Sequence, residues 1–280
     1  MVDLDRAPAP DVVALLIDGQ ETALAAARAA SPAIAAAVPV LRDAVLRGGR
    51  LAFTGAGTSG RLAAAEAAEL PGTFGLAPER CLALIAGADS AIIDDSAEDD
   101  TDDGSAQAQA ARLGPDDVLI AVAASGRTPF TLAAASCARA AGTPVIAVVN
   151  ASATPLAALA TVAVEAVTGD EVLRGSSRLA AGTAQKIVLN TLTTAALAAA
   201  GHVHGDLMID VVPANEKLRE RAAGIVAEIA QCSPATATAA LAACGGDTRA
   251  AVVHLVRGLP PSDARALAAA HPSLRAALEA

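Results

Sequence analysis

Residues Leu51–Leu62 read LAFTGAGTSGRL, and this stretch decides the fold. It opens on a short, continuously apolar run, Leu51–Thr54, passes into glycines and hydroxyls, and enters a helix-length stretch, Gly60–Glu69. An apolar run of strand length without alternation suits a strand covered on both faces. Four more such runs follow, Cys81–Ala86, Val118–Ala123, Val145–Val149 and Thr161–Ala166, with helix-length stretches such as Ser105–Arg112 and Pro129–Ala141 between them. Strand alternating with helix predicts a parallel sheet with right-handed crossovers. The expected fold class is α/β: a three-layer αβα sandwich around a five-stranded parallel sheet.

The flanks have a different character. Asp11–Arg47 reads as Ala/Leu/Val-rich helix, interrupted near Ser31-Pro32 and Pro39 and ended by Gly48-Gly49. Gly182–Ala200 reads as one long helix ending near Gly201. From Asn215 onward only helical segments remain, broken at Ser233-Pro234, Gly245-Gly246 and Leu259-Pro260-Pro261, which predicts a small bundle with a three-helix unit over Ile225–Leu278.

Composition narrows the function classes. Hydrophobic residues make up 54% of the 280 but aromatics only 1%, so the core must rest on Leu, Val, Ile and Ala, with Phe53, Phe74 and Phe130 as its large rings. A formal net charge of -10 argues against nucleic acid and against anionic membranes as partners. The few cations gain weight where they are focused on an anionic ligand. Cys81, Cys137, Cys232 and Cys244 show no CxxC pairing and read as reduced thiols. Asp3, Asp5 and Arg6 at the start leave no apolar signal core, and polar residues interrupt the Ala-rich stretches before membrane-spanning length. The expected compartment is the cytoplasm.

A recurrence carries the chemistry. Thr58-Ser59-Gly60-Arg61 follows the first strand, Ser125-Gly126-Arg127-Thr128 follows the third, and Gly175-Ser176-Ser177-Arg178 precedes the long helix. Glycine lets backbone approach an oxyanion, N–H groups at a helix start point toward it, and hydroxyls add donors. In an open α/β sheet such segments fall at the carboxyl ends of strands, where ligands bind. Any one of them is equally an ordinary turn or helix cap; three together predict an anion site. Gly55–Gly60 also spells GxGxxG, but Asp89 stands too far beyond it for a dinucleotide fingerprint, and no Gly-Lys-Ser/Thr supports a Walker loop.

These segments resemble the SIS (sugar isomerase) domain, and the chain from Arg50 to Leu278 resembles the N-acetylmuramic acid 6-phosphate etherase family. The resemblance rests on Gly55–Leu62, Thr73-Phe74-Gly75, Leu84–Gly87, Ala97-Glu98-Asp99, Ala123–Pro129, Gly175–Arg178, Ala181–Lys186 and Asn215–Leu218. It implies an N-terminal helical segment over 1–48, a SIS domain over 49–214 and a UBA-like helical domain over 215–280. It implies a homodimer with a site at or near the interface, working without metal or organic cofactor on an amino-sugar phosphate. The implied reaction cleaves the D-lactyl ether by elimination and hydration, giving N-acetylglucosamine 6-phosphate and D-lactate. Carried over by position, Glu69 is the acid assisting lactate departure and Glu98 the base at carbon 2. Gly57, Thr58, Ser59, Arg61, Ser125, Gly126, Arg127, Thr128, Ser176, Ser177 and Arg178 are the phosphate and substrate contacts.

Read without the resemblance, Glu69 is equally a solvated helix residue beside Glu66, and Glu98 one more charge in the acidic run Asp94–Asp103. Ten residues of helix from Ser59 to Glu69 span about 15 Å, which places Glu69 away from its own phosphate segment and toward a site shared with a second subunit. Leu70, Gly72, Ser96, Arg174 and Ala180 depart from the family pattern. His202 and His204 lack a completing ligand set and read as surface or interface residues. The same fold also allows a phosphosugar isomerase or a non-catalytic sugar-phosphate sensor.

Overall fold

The computed structural model describes residues 3–87, 95–213 and 215–280, so Asp89 and Asp94 lie outside the described residues. Three helices come first: α1 (Ala9–Asp18), α2 (Glu21–Ala29) and α3 (Ser31–Leu46). Pro39 does not interrupt α3, contrary to the sequence expectation. Its ring frees the carbonyl of Ala35, but both residues are exposed, so water can satisfy that group. The buried stripe Ile34, Ala37, Leu41, Ala44 and Val45 runs unbroken on the other side and keeps the helix together.

The α/β part then alternates β1 (Leu51–Gly55), α4 (Gly57–Phe74), β2 (Cys81–Ile85), α5 (Thr101–Ala111), β3 (Val118–Val122), α6 (Pro129–Ala140), β4 (Val145–Val149), α7 (Pro155–Leu159), β5 (Val162–Glu165) and α8 (Ala180–Ala199). All five strands fall where the apolar runs place them. They form one sheet in the order β2-β1-β3-β4-β5, and every neighbouring pair is parallel. Both faces are covered. Ala52, Leu119, Ala121, Ala147 and Val149 share a core with α5, α6 and α7, while Leu51, Phe53, Ile120 and Val148, pointing the opposite way, are equally buried on the side where α3 packs. Right-handed crossovers that run one way from β1 to β2 and the other way from β2 onward place α4 on the face opposite α5–α7. The direction of winding therefore reverses between β1 and β3, and their carboxyl ends open a crevice there.

Two compact units result, one of Met1–Ala67 with Glu79–Thr193 and one of Ala68–Pro78 with Thr194–Ala280. The second contains a small antiparallel hairpin, β6 (Val203–His204) and β7 (Leu207–Met208), which the sequence reading missed. Its signal was the two-residue Gly205-Asp206 turn, with Gly205 at φ 62°. Five helices follow: α9 (Glu216–Ala230), α10 (Pro234–Ala243), α11 (Thr248–Arg257), α12 (Pro261–Ala270) and α13 (Leu274–Glu279). Asn215, Ser233, Asp247 and Ser273 start four of them, each side chain accepting an N–H from the first turn. Their core gathers Val226, Leu241, Val252 and Leu274.

His202 is half-buried, and its Nδ1 lies 2.6 Å from Asp210 Oδ2, to which Arg249 also donates. Among the described residues no cluster of three or more His, Cys, Asp or Glu is arranged to hold a metal, and no single helix is long and apolar enough to cross a membrane. The four cysteines are unpaired.

Candidate functional site

The crevice at the β1/β3 carboxyl ends holds a cavity of about 680 Å³. Its lining brings together Gly57, Thr58, Ser59 and Arg61 from α4, Ser125, Arg127 and Thr128 from the turn after β3, and Ser176, Ser177 and Arg178 before α8. The three segments singled out in the sequence thus share one cavity. Three arginines, Arg61, Arg127 and Arg178, line one cavity in a chain of net charge -10, a concentration of positive charge where an anion would sit.

Each segment is held by local geometry. Thr58-Ser59-Gly60-Arg61 forms the first turn of α4, which begins at Gly57, three residues before the helix-length stretch read from the sequence. The first intrahelical bond runs from the Gly60 N–H to the Ala56 carbonyl at 2.9 Å, so the N–H groups of Gly57, Thr58 and Ser59 have no acceptor within the helix. The glycines explain how helix and strand meet so tightly. A Cβ on Gly60 would lie 2.7 Å from the Gly55 carbonyl oxygen, and one on Gly55 would lie 2.9 Å from the Gly60 nitrogen. These are the outer glycines of the GxGxxG pattern, serving here to dock a helix start against a strand end.

After β3 the chain turns at Ser125, whose hydroxyl accepts the Arg127 N–H at 3.2 Å. Gly126 is at φ 60°, and a Cβ there would stand 2.3 Å from Thr154 Oγ1. Gly126 is not part of the cavity lining; its role is to let this turn lie against the cap of α7, where its carbonyl accepts from the Leu156 N–H at 3.1 Å. Thr128 and Pro129 then start α6.

Glu98 lies on the cavity wall beside Asp99, exposed, in a short 3-10 turn over Asp95–Asp99. Ala97 packs against Ala56, Ala86 and Phe130, which fixes this turn beside the start of α4. Glu69 is an exposed residue of α4 and does not appear in the lining. Glu66, one turn before it, is buried and accepts from Thr193, Asn190 and Lys186. The sequence reading gave Glu66 no role beyond its proximity to Glu69. It also passed over Glu171, which accepts the N–H groups of Ala180 and Ala181 at the start of α8. An acidic residue shortly before a helix start was the available signal.

The fold and the shared cavity define an α/β protein of the SIS class, and residues 19–150 match the SIS domain family model. Over 264 residues the chain is 45% identical to an N-acetylmuramic acid 6-phosphate etherase of Deinococcus radiodurans, covering 94% of this chain and 87% of the relative. N-acetylmuramic acid 6-phosphate etherase 1 of Vibrio cholerae serotype O1 is 40% identical, covering 98% of this chain and 93% of its own length. The chain belongs to the N-acetylmuramic acid 6-phosphate etherase family. Among solved structures, an E. coli CFT073 protein solved as a complex superimposes with a TM-score of 0.53 at 20% identity, over 71% of this chain and 97% of that one, a likeness of fold.

Proposed function

We infer that this chain cleaves the D-lactyl ether of N-acetylmuramic acid 6-phosphate, giving N-acetylglucosamine 6-phosphate and D-lactate. The observation that carries the reading is near-full-length identity of up to 45% with etherases in a chain whose three hydroxyl–arginine segments line one cavity. That likeness favours an etherase over an isomerase or a sensor of the same fold.

The chemistry follows from the open-chain sugar. The carbon-2 proton is acidified by the adjacent aldehyde; a carboxylate removes it while the carbon 3–oxygen bond breaks. A second carboxyl protonates the departing lactate oxygen, and water adds across the resulting double bond to restore a hydroxyl at carbon 3. The sequence of steps transfers protons and water without net oxidation, so acid–base groups suffice. Glu98 is the base, supported by its place on the cavity wall. Glu69 is the acid, supported by the family pattern.

The Gly57–Arg61 and Ser125–Thr128 segments hold the phosphoryl group through backbone N–H groups, hydroxyls and guanidinium charge. The protein works as a cytoplasmic homodimer in which Glu69 of one subunit serves the site of the other. The test is direct: purified protein given N-acetylmuramic acid 6-phosphate releases D-lactate, measured enzymatically, together with an equal amount of N-acetylglucosamine 6-phosphate. Absence of lactate at high enzyme concentration overturns the reading.

A further inference from the structure

Helix α8 starts beside the cavity, yet its own end is already closed. The Ala180 N–H donates to Glu171 Oε2 at 3.0 Å and the Ala181 N–H to Glu171 Oε1 at 2.9 Å. The Gly182 and Thr183 N–H groups donate to the carbonyls of Ser177 and Leu179 at 3.0 and 2.9 Å. The Ala180, Ala181 and Gly182 N–H groups, which precede the first intrahelical bond from Thr183 and would otherwise be open to an anion, are therefore taken. Glu171 also supplies the negative charge that the helix dipole favours there. A phosphoryl group brought to this end would meet a carboxylate and find no N–H. The start of α4 is the opposite case, since Gly57, Thr58 and Ser59 line the cavity ahead of the first intrahelical bond. The segment before α8 reaches the cavity with the hydroxyl-bearing Ser176 and Ser177 and with Arg178, not with the first turn of the helix itself.

The substrate inferred above carries two anionic groups on different carbons of the sugar, the phosphoryl on carbon 6 and the lactyl carboxylate on carbon 3. Resting on that reading, we propose that Arg178, with Ser176 and Ser177, forms the subsite for the lactyl carboxylate, and that Glu171 is the positioning residue that holds this segment in place. A planar guanidinium matches a carboxylate through two parallel N–H donors and needs no backbone help to do so. Glu171 ties the far end of the segment to the first turn of α8, so the arginine departs from a fixed backbone. The subsite would make Arg178 the residue that distinguishes substrate from product, because the product keeps the phosphoryl group and loses the lactyl group.

The test uses the full chain and its R178M, R178K and E171Q variants, with N-acetylmuramic acid 6-phosphate as substrate and N-acetylglucosamine 6-phosphate as competitive inhibitor. In R178M, KM rises about tenfold or more while the inhibition constant for the product stays at its wild-type value. R178K recovers part of the loss, and E171Q shows the same split at smaller size. The unchanged product constant also shows that the site is still folded. If KM and the product constant rise together, Arg178 holds the phosphoryl group and the proposal is overturned. If neither changes, it is overturned as well. Failure of the wild-type protein to release lactate removes the etherase reading and the subsite with it; lactate release without the split removes the subsite alone.

Discussion

The Thr193 hydroxyl donates to Glu66 Oε1 across 2.6 Å, joining α8 to α4 at a carboxylate that is only 2% exposed. Asn190 Nδ2 reaches the other oxygen at 2.8 Å, and Lys186 Nζ stands 3.5 Å from it. Removing the carboxylate by Glu66→Ala strands buried donors on α8 and leaves a small void, for a loss of about 3 kcal/mol. Glu66→Gln keeps one acceptor and costs about 1 kcal/mol. Urea denaturation of the full chain reads both as midpoint shifts. Equal stability of the alanine variant and the wild type would show the network to be dispensable.

Gly60→Ala and Gly126→Ala test the backbone of the site separately from its side chains. At Gly60 the new methyl presses on the Gly55 backbone, which belongs to a fully buried strand and cannot yield. At Gly126 the methyl meets the Thr154 side chain, and the positive φ adds its own strain. Each substitution lowers stability by about 1–3 kcal/mol. Each also raises the inhibition constant of N-acetylglucosamine 6-phosphate severalfold, because the phosphate segments move. Titration of the variants with that sugar phosphate by calorimetry checks the second effect.

Asp117 supplies a pH signature unrelated to catalysis. Burial alone would raise its carboxyl, but the Arg50 side chain, the backbone N–H groups of Arg50 and Gly114, and the Arg50 charge outweigh that and hold its pKa below the usual value. A depressed folded-state pKa gives stability that is complete above the unfolded value of about 3.9 and fades as pH falls through the folded one. Asp117→Asn therefore lowers stability by about 2 kcal/mol at neutral pH, and the gap to wild type closes as pH drops below about 4. A gap that persists unchanged in acid would place the effect elsewhere than in the charge.

The sheet was legible in the sequence because each strand is buried on both faces and so must be an apolar run; Ile120 and Val148 have no wet side to write into the pattern. The convergence of the first two polar segments followed from their places after β1 and β3, while the third, before α8, was legible only from its likeness to them. What escaped the sequence was set by partners distant along the chain. Glu66 looks like any helix carboxylate until Thr193 and Asn190 are folded onto it from more than 120 positions away. Pro39 and Pro71 look like breaks, yet both lie inside helices, because helix ends follow burial more than a single missing donor. The short β6–β7 hairpin carries too few residues for a period-2 pattern to register.

Cys81 tests local electrostatics at the edge strand. Burial raises its thiol to about 11; Arg80 lowers it and Glu79 raises it by smaller amounts. At pH 8 only on the order of one thiol in a thousand is then the reactive thiolate. Iodoacetamide at that pH modifies Cys81 and the buried Cys244 far more slowly than denatured protein, as peptide mass mapping would reveal. Fast labelling of Cys81 in the folded chain would contradict the burial.

Sharing of the site between subunits makes a quantitative forecast. Glu69→Gln and Glu98→Gln each reduce lactate release by at least about a hundredfold, the usual scale for losing one acid–base group. If each site takes Glu98 from one chain and Glu69 from its twofold mate, a mixed dimer has one site with both glutamates intact and one with neither. Equal mixing with free exchange makes half the dimers mixed, so activity returns to about a quarter of the wild-type level. If both glutamates act from the same chain, every site in the mixture lacks one of them and no activity returns. Mixing the purified variants, allowing subunits to exchange and assaying D-lactate therefore decides which subunit supplies the acid, whatever the affinity of either variant for the sugar.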